Sequence, residues 1–304
     1  MSPPHHFITG TELRAEELHA LLRRALEMKA GPRNGPRPLQ GRNIALLFEK
    51  PSTRTRISFQ VGIQQLGGHA LLMRSEELQL ARGESVRDTA LVLSRYVDAI
   101  VVRHGEHAVI EELARYADIP VVNALTPVHH PFQALADLLT LQERFGSLEG
   151  LRVAYVGDGN NVLQSLMLLG ARAGVQVVAA TPPQLRPDAG LVAEAGDLAT
   201  VVDDPQEAAA GAHAIYTDVW VSMGDEQDAS RRRELLAPYR LDAELLAHAR
   251  EDAIVLHCLP AHPGEEITED LLYGERSAVW DQAENRLHAQ KALMEHLLAD
   301  VPLD

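Results

Sequence analysis

Ile44-Ala-Leu-Leu-Phe-Glu-Lys-Pro-Ser-Thr-Arg-Thr-Arg-Ile-Ser-Phe-Gln-Val-Gly-Ile63 is the stretch from which the rest of the chain can be read. It opens with an apolar run of strand type, meets Pro51, and then changes period. Phe59, Gly62, Ile63 and Leu66 keep the i, i+3, i+4, i+7 spacing of a helix with one buried face. The turn at Ser52 therefore falls at a helix N-terminus, where Ser52 or Thr53 can cap and the N–H groups of Thr53, Arg54 and Thr55 have no partner within the helix. Those donors stand at the positive end of the helix dipole, so an anion is favoured there. Arg54 and Arg56 add guanidinium forks suited to phosphate oxygens, and Ser52, Thr53 and Thr55 add neutral hydroxyl donors. A capped helix with solvated arginines would show some of these features. A run of phosphate-type donors directly after a strand points to an anion site instead.

Outward from this stretch the pattern is α/β. Residues 11 to 29 read as an amphipathic helix, and Gly31 to Pro38 as a loop too rich in Gly and Pro for regular structure. Strand-like runs at about 42 to 49, 69 to 73, 99 to 102 and 120 to 122 alternate with helical stretches at 86 to 97 and 106 to 117. A long helix from 131 to 145 ends near Gly146. A second series of strands follows at 151 to 156, 175 to 180, 213 to 217, 253 to 257 and 277 to 280, and a last helix begins at about 283. This alternation predicts two domains, each a parallel sheet flanked by helices, joined by long helices. The boundaries are residues 1 to 145 and 146 to 282, with the helix of 283 to 304 packing back on the first domain. Ligands in open parallel sheets bind beyond the carboxyl ends of the strands, and each motif below follows a strand.

The 304 residues suffice for two cores, and 46% hydrophobic with 23% charged residues is the balance of a soluble globular protein. A formal charge of −15 argues against nucleic acid or a membrane surface as the main partner, since both favour a basic face. Cys258, the one cysteine, excludes an internal disulfide, and the polar start Met1-Ser-Pro-Pro-His-His lacks the form of a signal peptide. A cytoplasmic location is expected.

Phe48-Glu-Lys-Pro-Ser-Thr-Arg-Thr-Arg-Ile-Ser-Phe59 resembles the carbamoyl-phosphate loop of the aspartate and ornithine carbamoyltransferases. Further segments resemble the same family in order. Arg103 follows Ala99-Ile-Val-Val102 directly, and His130-Pro-Phe-Gln133 follows Val121-Val122 by a short loop, with Pro131 suited to the first helical position. By resemblance, Arg103, His130 and Gln133 polarise the carbamoyl carbonyl and bind its amide. Arg286 in Glu284-Asn-Arg286 matches an arginine near carbamoyl phosphate. Gln79-Leu-Ala-Arg-Gly-Glu-Ser85 resembles a loop donated by a neighbouring subunit, which implies a homotrimer with shared active sites. Arg82 stands there where aspartate enzymes carry Lys.

Gly157-Asp-Gly-Asn-Asn161 imitates the start of a dinucleotide fingerprint but fails it, because Val162 occupies the third glycine position and Thr181-Pro-Pro183 offers no acid for a ribose. It resembles instead a Gly-Asp-x-x-Asn segment of the family's ornithine branch, which assigns Asn161 to the α-carboxylate end of ornithine. Asp218-Val-Trp-Val-Ser-Met-Gly-Asp-Glu226 sets an anion and a hydroxyl at a strand end, fitting a cationic amino acid, and by resemblance Asp218, Ser222 and Met223 bind ornithine. His257-Cys-Leu-Pro260 matches another segment of that site and brings in Cys258 and Leu259, also as neighbours of carbamoyl phosphate. Cys258 either takes up a proton or only orients the amine. Arg54, Arg103, His130 and Cys258 are the expected catalytic residues.

The resemblance implies that carbamoyl phosphate and L-ornithine give L-citrulline and phosphate, in arginine biosynthesis or in a catabolic arginine deiminase route. No metal or organic cofactor is expected, because the leaving group is already activated and the work is positioning and charge stabilisation. Two rivals remain: a related carbamoyltransferase acting on another amine or amino acid, and a non-catalytic regulatory binding protein of the same fold.

Overall fold

A computed structural model describes residues 6–33, 35–49, 52–74, 83–221 and 226–299. The chain divides into two compact units, Met1–Leu135 together with Asn285–Asp304, and Ala136–Glu284.

In the first unit β1 (Asn43–Phe48), β2 (His69–Arg74), β3 (Ala99–Arg103) and β4 (Val121–Leu125) form one parallel sheet in the order β2-β1-β3-β4. β1 and β3 are apolar and buried almost throughout, as inner parallel strands covered on both faces must be, whereas β2 at the edge has exposed positions. Helices α2 (Thr53–Gln65), α3 (Val86–Leu93) and α4 (His107–Tyr116) form the crossovers. Leu93 of α3 with Ile110 and Leu113 of α4 pack against Leu47, Ile100, Val102 and Val121 of the sheet. Register places Phe48 opposite Arg103, so the carboxyl end of β1 and the arginine at the end of β3 are side by side. The N-terminal helix α1 spans Ala15–Ala30, four residues later than its amphipathic pattern predicts. The preceding residues form a turn because the Glu12 carboxylate accepts from the N–H groups of Ile8, Thr9 and Gly10.

In the second unit β5 (Arg152–Val156), β6 (Gln176–Ala180), β7 (Ala199–Val202), β8 (Ala214–Thr217) and β9 (Ile254–His257) form a parallel sheet in the order β7-β6-β5-β8-β9. Order reverses about β5, so the ends of β5 and β8 flank the switch point where such sheets bind ligands. Between the strands run α6 (Asn161–Arg172), α7 (Ala189–Ala195), α8 (Pro205–Ala209), α9 (Ala229–Leu236) and α10 (Ala243–Leu246), and α11 (Glu269–Leu272) follows β9. Ala208 and Ala209, Leu245 and Leu246, and Leu271 and Leu272 pack with Val156, Val178, Ile215 and Val255.

The remaining helices are α5 (Pro131–Phe145), with the predicted bounds, and α12 (Val279–Leu298). A strand at 277–280 is not formed. Only Ser277 bridges to Val255, with Ala278 N–H on the Val255 carbonyl at 2.9 Å, before Val279 begins the helix. Conversely β7, a four-residue edge strand, is not among the predicted strands. No described helix is long and apolar enough to cross a membrane.

Candidate active site

The first unit gathers cations around one helix start. Ser52 is the extended N-cap of α2, and its side chain makes no capping bond. Thr55, one turn in, is buried, and its hydroxyl accepts from Arg286 of α12. Arg286 also donates to Gln133 Oε1 at 2.6 Å. Gln133 follows His130 by one turn, its N–H on the His130 carbonyl at 3.0 Å. Arg103 is 9% exposed with a buried Nε that finds no acceptor among the described residues, and burial, then the nearby Arg54 charge, loosens its hold on its proton. Burial first, and then Arg286, Arg103 and Arg54, push the His130 pKa well below the usual histidine range. The imidazole is therefore neutral. Guanidinium groups gathered at one helix start, with a buried amide and hydroxyl between them, form a set of donors suited to an anion.

A second histidine beside the site has a stability consequence. His129 is buried edge-to-face on His107, with ring centroids 5.1 Å apart, and burial followed by the His107 charge lowers its pKa to about 4. Its folded value lies below the unfolded value of 6.5, so its contribution is fully present above pH 6.5 and is lost as pH falls toward 4. Melting temperature should therefore drop between pH 7 and 4.5, and His129→Gln should reduce that slope. An unchanged slope would show that His129 is not buried in the neutral form.

In the second unit the carboxyl ends of β5, β8 and β9 meet on Asp218. Its carboxylate is 7% exposed and accepts from Asn160 Nδ2 at 2.7 Å, from Cys258 Sγ at 2.7 Å and from Val219 N–H at 2.8 Å. Asn160 is the N-cap of α6, its Oδ1 taking the Val162 and Leu163 N–H groups, so one side chain starts the helix and orients the aspartate. Asn161, the predicted ligand, is the first residue of α6. The cysteine is held by its neighbours. His257 Nδ1 accepts from Leu259 N–H at 2.9 Å, which leaves the proton on Nε2, 3.1 Å from Glu266 Oε1. Leu259 adopts φ +61°, unusual for a leucine, and its N–H bond to His257 helps hold that conformation. Asp218, His257 and Cys258 bring ligand-type atoms within 4.8 Å of one another. However, both His257 nitrogens are already engaged, which suits a braced loop better than a metal centre.

Gly159 explains the failed dinucleotide fingerprint. Its N–H bonds the Leu185 carbonyl at 2.8 Å, and a Cβ there would overlap the backbone of Leu185, Arg186 and Pro187. The glycine serves a close chain approach rather than a pyrophosphate. Gly159→Ala should cost about 3 kcal/mol or more, as overpacking against fixed backbone does; a wild-type melting temperature would contradict this.

Of the predicted residues, the structure collects Arg54, Thr55, Arg103, His130, Gln133 and Arg286 in the first unit, with Ser52 and Thr53 at the same helix start. It collects Asp218, Cys258 and Leu259, with Asn161 beside them in sequence to Asn160, in the second. Gln79, Ser222 and Met223 lie outside the described residues. Sequence reasoning missed Asp137, which is wholly buried and accepts from Gln282 Nε2 at 2.7 Å and Tyr216 OH at 3.3 Å. A charged residue one turn after Gln133, within the apolar stretch Ala134-Leu-Ala-Asp-Leu-Leu139, was the available signal. It also missed Asn160 and Glu266.

Comparison with known proteins adds an independent line. The family model described as the aspartate/ornithine carbamoyltransferase carbamoyl-P binding domain matches residues 5–143, and that of the Asp/Orn binding domain matches residues 149–297. An ornithine carbamoyltransferase of Methanoculleus marisnigri is 51% identical over 298 residues, 96% of each chain. An anabolic ornithine carbamoyltransferase of Pyrococcus furiosus is 48% identical, with 92% of each chain covered. A solved ornithine carbamoyltransferase structure from Pyrococcus furiosus superposes with a TM-score of 0.93 at 44% identity, covering 99% of each chain. The chain belongs to the aspartate/ornithine carbamoyltransferase family.

Proposed function

We infer that this chain is an ornithine carbamoyltransferase, which forms L-citrulline and phosphate from carbamoyl phosphate and L-ornithine. The observation that carries the reading is the sorting of charge. Guanidiniums surround the α2 N-terminus of the first unit, and a buried carboxylate stands at the end of β8 in the second. A phosphate-bearing substrate fits the first and a cationic amino acid the second. The first unit is read as the carbamoyl-phosphate domain and the second as the ornithine domain, within about ten residues of the expected bounds of 1–145 with the C-terminal helix and 146–282.

In this reading Ser52, Thr53, Arg54 and Thr55 take the phosphate, together with Arg286 and a neighbouring subunit's Gln79. Neutral His130 donates its N–H to the carbamoyl oxygen, Arg103 adds charge to that oxygen, and Gln133 binds the amide. The neutral δ-amine attacks the carbonyl carbon, the new N–C bond forms, and the C–O bond to phosphate breaks. The amine proton leaves as the tetrahedral intermediate collapses, and phosphate is basic enough to receive it. Asp218, Ser222 and Met223 hold the chain of ornithine and Asn161 its carboxylate. Cys258, whose thiol hydrogen is directed at Asp218, orients the amine, with Leu259 beside it. The anabolic relative supports a role in arginine biosynthesis.

Incubation of the purified chain with both substrates should yield citrulline and phosphate in equal amounts; phosphate release without citrulline would refute the assignment. The family resemblance further supports a homotrimer, for which the solution mass should be three times the 33.3 kDa of one chain. A fully active monomer would contradict a shared site.

A further inference from the structure

Arg232 of α9 joins two loops that carry the ornithine half-site. Its Nε donates to the Trp220 carbonyl at 2.9 Å, in the segment that begins with Asp218. A terminal nitrogen donates to Asp158, in the loop between β5 and Asn160. Each side chain of this ion pair is only 11% exposed. Asn160 links the same two loops a second time through its bond to Asp218. A buried ion pair is a poor source of net stability, because desolvation offsets most of the attraction. What it does fix is distance and direction, since the planar guanidinium has donors in a rigid fork.

We propose that Arg232 is a positioning residue for ornithine, holding the β5 and β8 loops in register so that Asn161 and Asp218 keep the spacing that both ends of the substrate require. This rests on the reading of the second unit as the ornithine half. Neither Arg232 nor Asp158 is assigned to substrate. Their effect is transmitted through Trp220 on one side and through Gly159 and Asn160 on the other.

The test compares wild type with Arg232→Gln, Arg232→Lys, Asp158→Asn and the Gln/Asn double variant. Each is assayed with ornithine and with its homologues one carbon shorter and longer, 2,4-diaminobutyrate and lysine. Arg232→Gln should raise the ornithine KM about ten- to hundredfold, the scale on which misplacement of a binding group acts, while the carbamoyl-phosphate KM stays within about twofold. Preference for ornithine over the two homologues should fall, which a merely structural loss would not produce. Arg232→Lys should recover part of the loss by keeping the charge opposite Asp158. Asp158→Asn, which leaves the Trp220 bond in place, should shift the same quantities less, and adding it to Arg232→Gln should change little, because the two act as one unit. A folded Arg232→Gln enzyme with unchanged ornithine KM and chain-length preference would overturn the proposal, as would equal rises in both KM values. Should Arg232→Gln not fold, an unchanged Asp158→Asn would overturn it. Failure of the wild type to form citrulline would instead refute the functional reading itself.

Discussion

Arg103→Met is expected to slow carbamoyl transfer severely while leaving the substrate-free protein as stable as the wild type, or more so. Arg103 is buried at the end of β3 with no ion pair among the described residues, and Arg54 is close enough to disfavour its charge further. Replacing such a charge with an apolar side chain of similar length removes a desolvation cost and leaves no acceptor stranded. In the proposed mechanism the same change deletes a preorganised donor to developing negative charge, a loss of about 10²–10³ in kcat. Carbamoyl phosphate should raise the melting temperature of the wild type by mass action and that of the variant far less. A variant that turns over normally would remove Arg103 from the site. One that is inactive but strongly destabilised would make its role structural.

Asp218→Asn is the second large effect. The carboxylate accepts from Asn160, Cys258 and Val219, and the amide that replaces it can accept at one oxygen only. The ornithine KM should rise roughly a hundredfold or more, the scale of breaking a buried charged contact, with the carbamoyl-phosphate KM little changed because that half-site belongs to the other unit. Cys258→Ser separates two roles that the sequence leaves open. Serine also donates to Asp218, so an orienting contact predicts a modest KM change, whereas a proton acceptor predicts a large kcat loss and a displaced pH profile. The Sγ–Asp218 hydrogen bond favours the former. Activity should in either case climb above pH 7, since an amine of pKa about 10 is roughly one part in a thousand neutral there. A reversed KM pattern for Asp218→Asn would place the aspartate with the anion.

Most strands of both sheets, and the cluster of donors at the α2 start, were legible because the signals are local. A strand, Pro51 and a run of hydroxyl and guanidinium donors define the α2 start without any knowledge of the fold. Strand ends placed Arg103 and His130, and the resemblance to the family supplied their roles. The misread strand at 277–280 has β-type composition in Ser-Ala-Val-Trp, but tertiary pairing uses Ser277 alone and the helix takes Val279. β7 escaped because a four-residue edge strand carries little pattern. The pairings that shape the proposed ornithine half-site join residues far apart in sequence, such as Asp218 with Cys258 and Arg232 with Asp158. Within Arg231-Arg-Arg233, composition cannot say which arginine turns inward. Resemblance supplied the residues of that half; only the fold supplied their partners.

The central claim is that this family member carbamoylates ornithine in particular. Citrulline-type product formation should be measured with ornithine, putrescine, N-acetylornithine and aspartate in parallel, each at saturating carbamoyl phosphate. Ornithine should exceed every other acceptor by a large factor in kcat/KM, because the proposed site matches its carboxylate through Asn161 and its cationic chain through Asp218 and Cys258. Preferential turnover of any of the other three, or none with ornithine, would contradict the account.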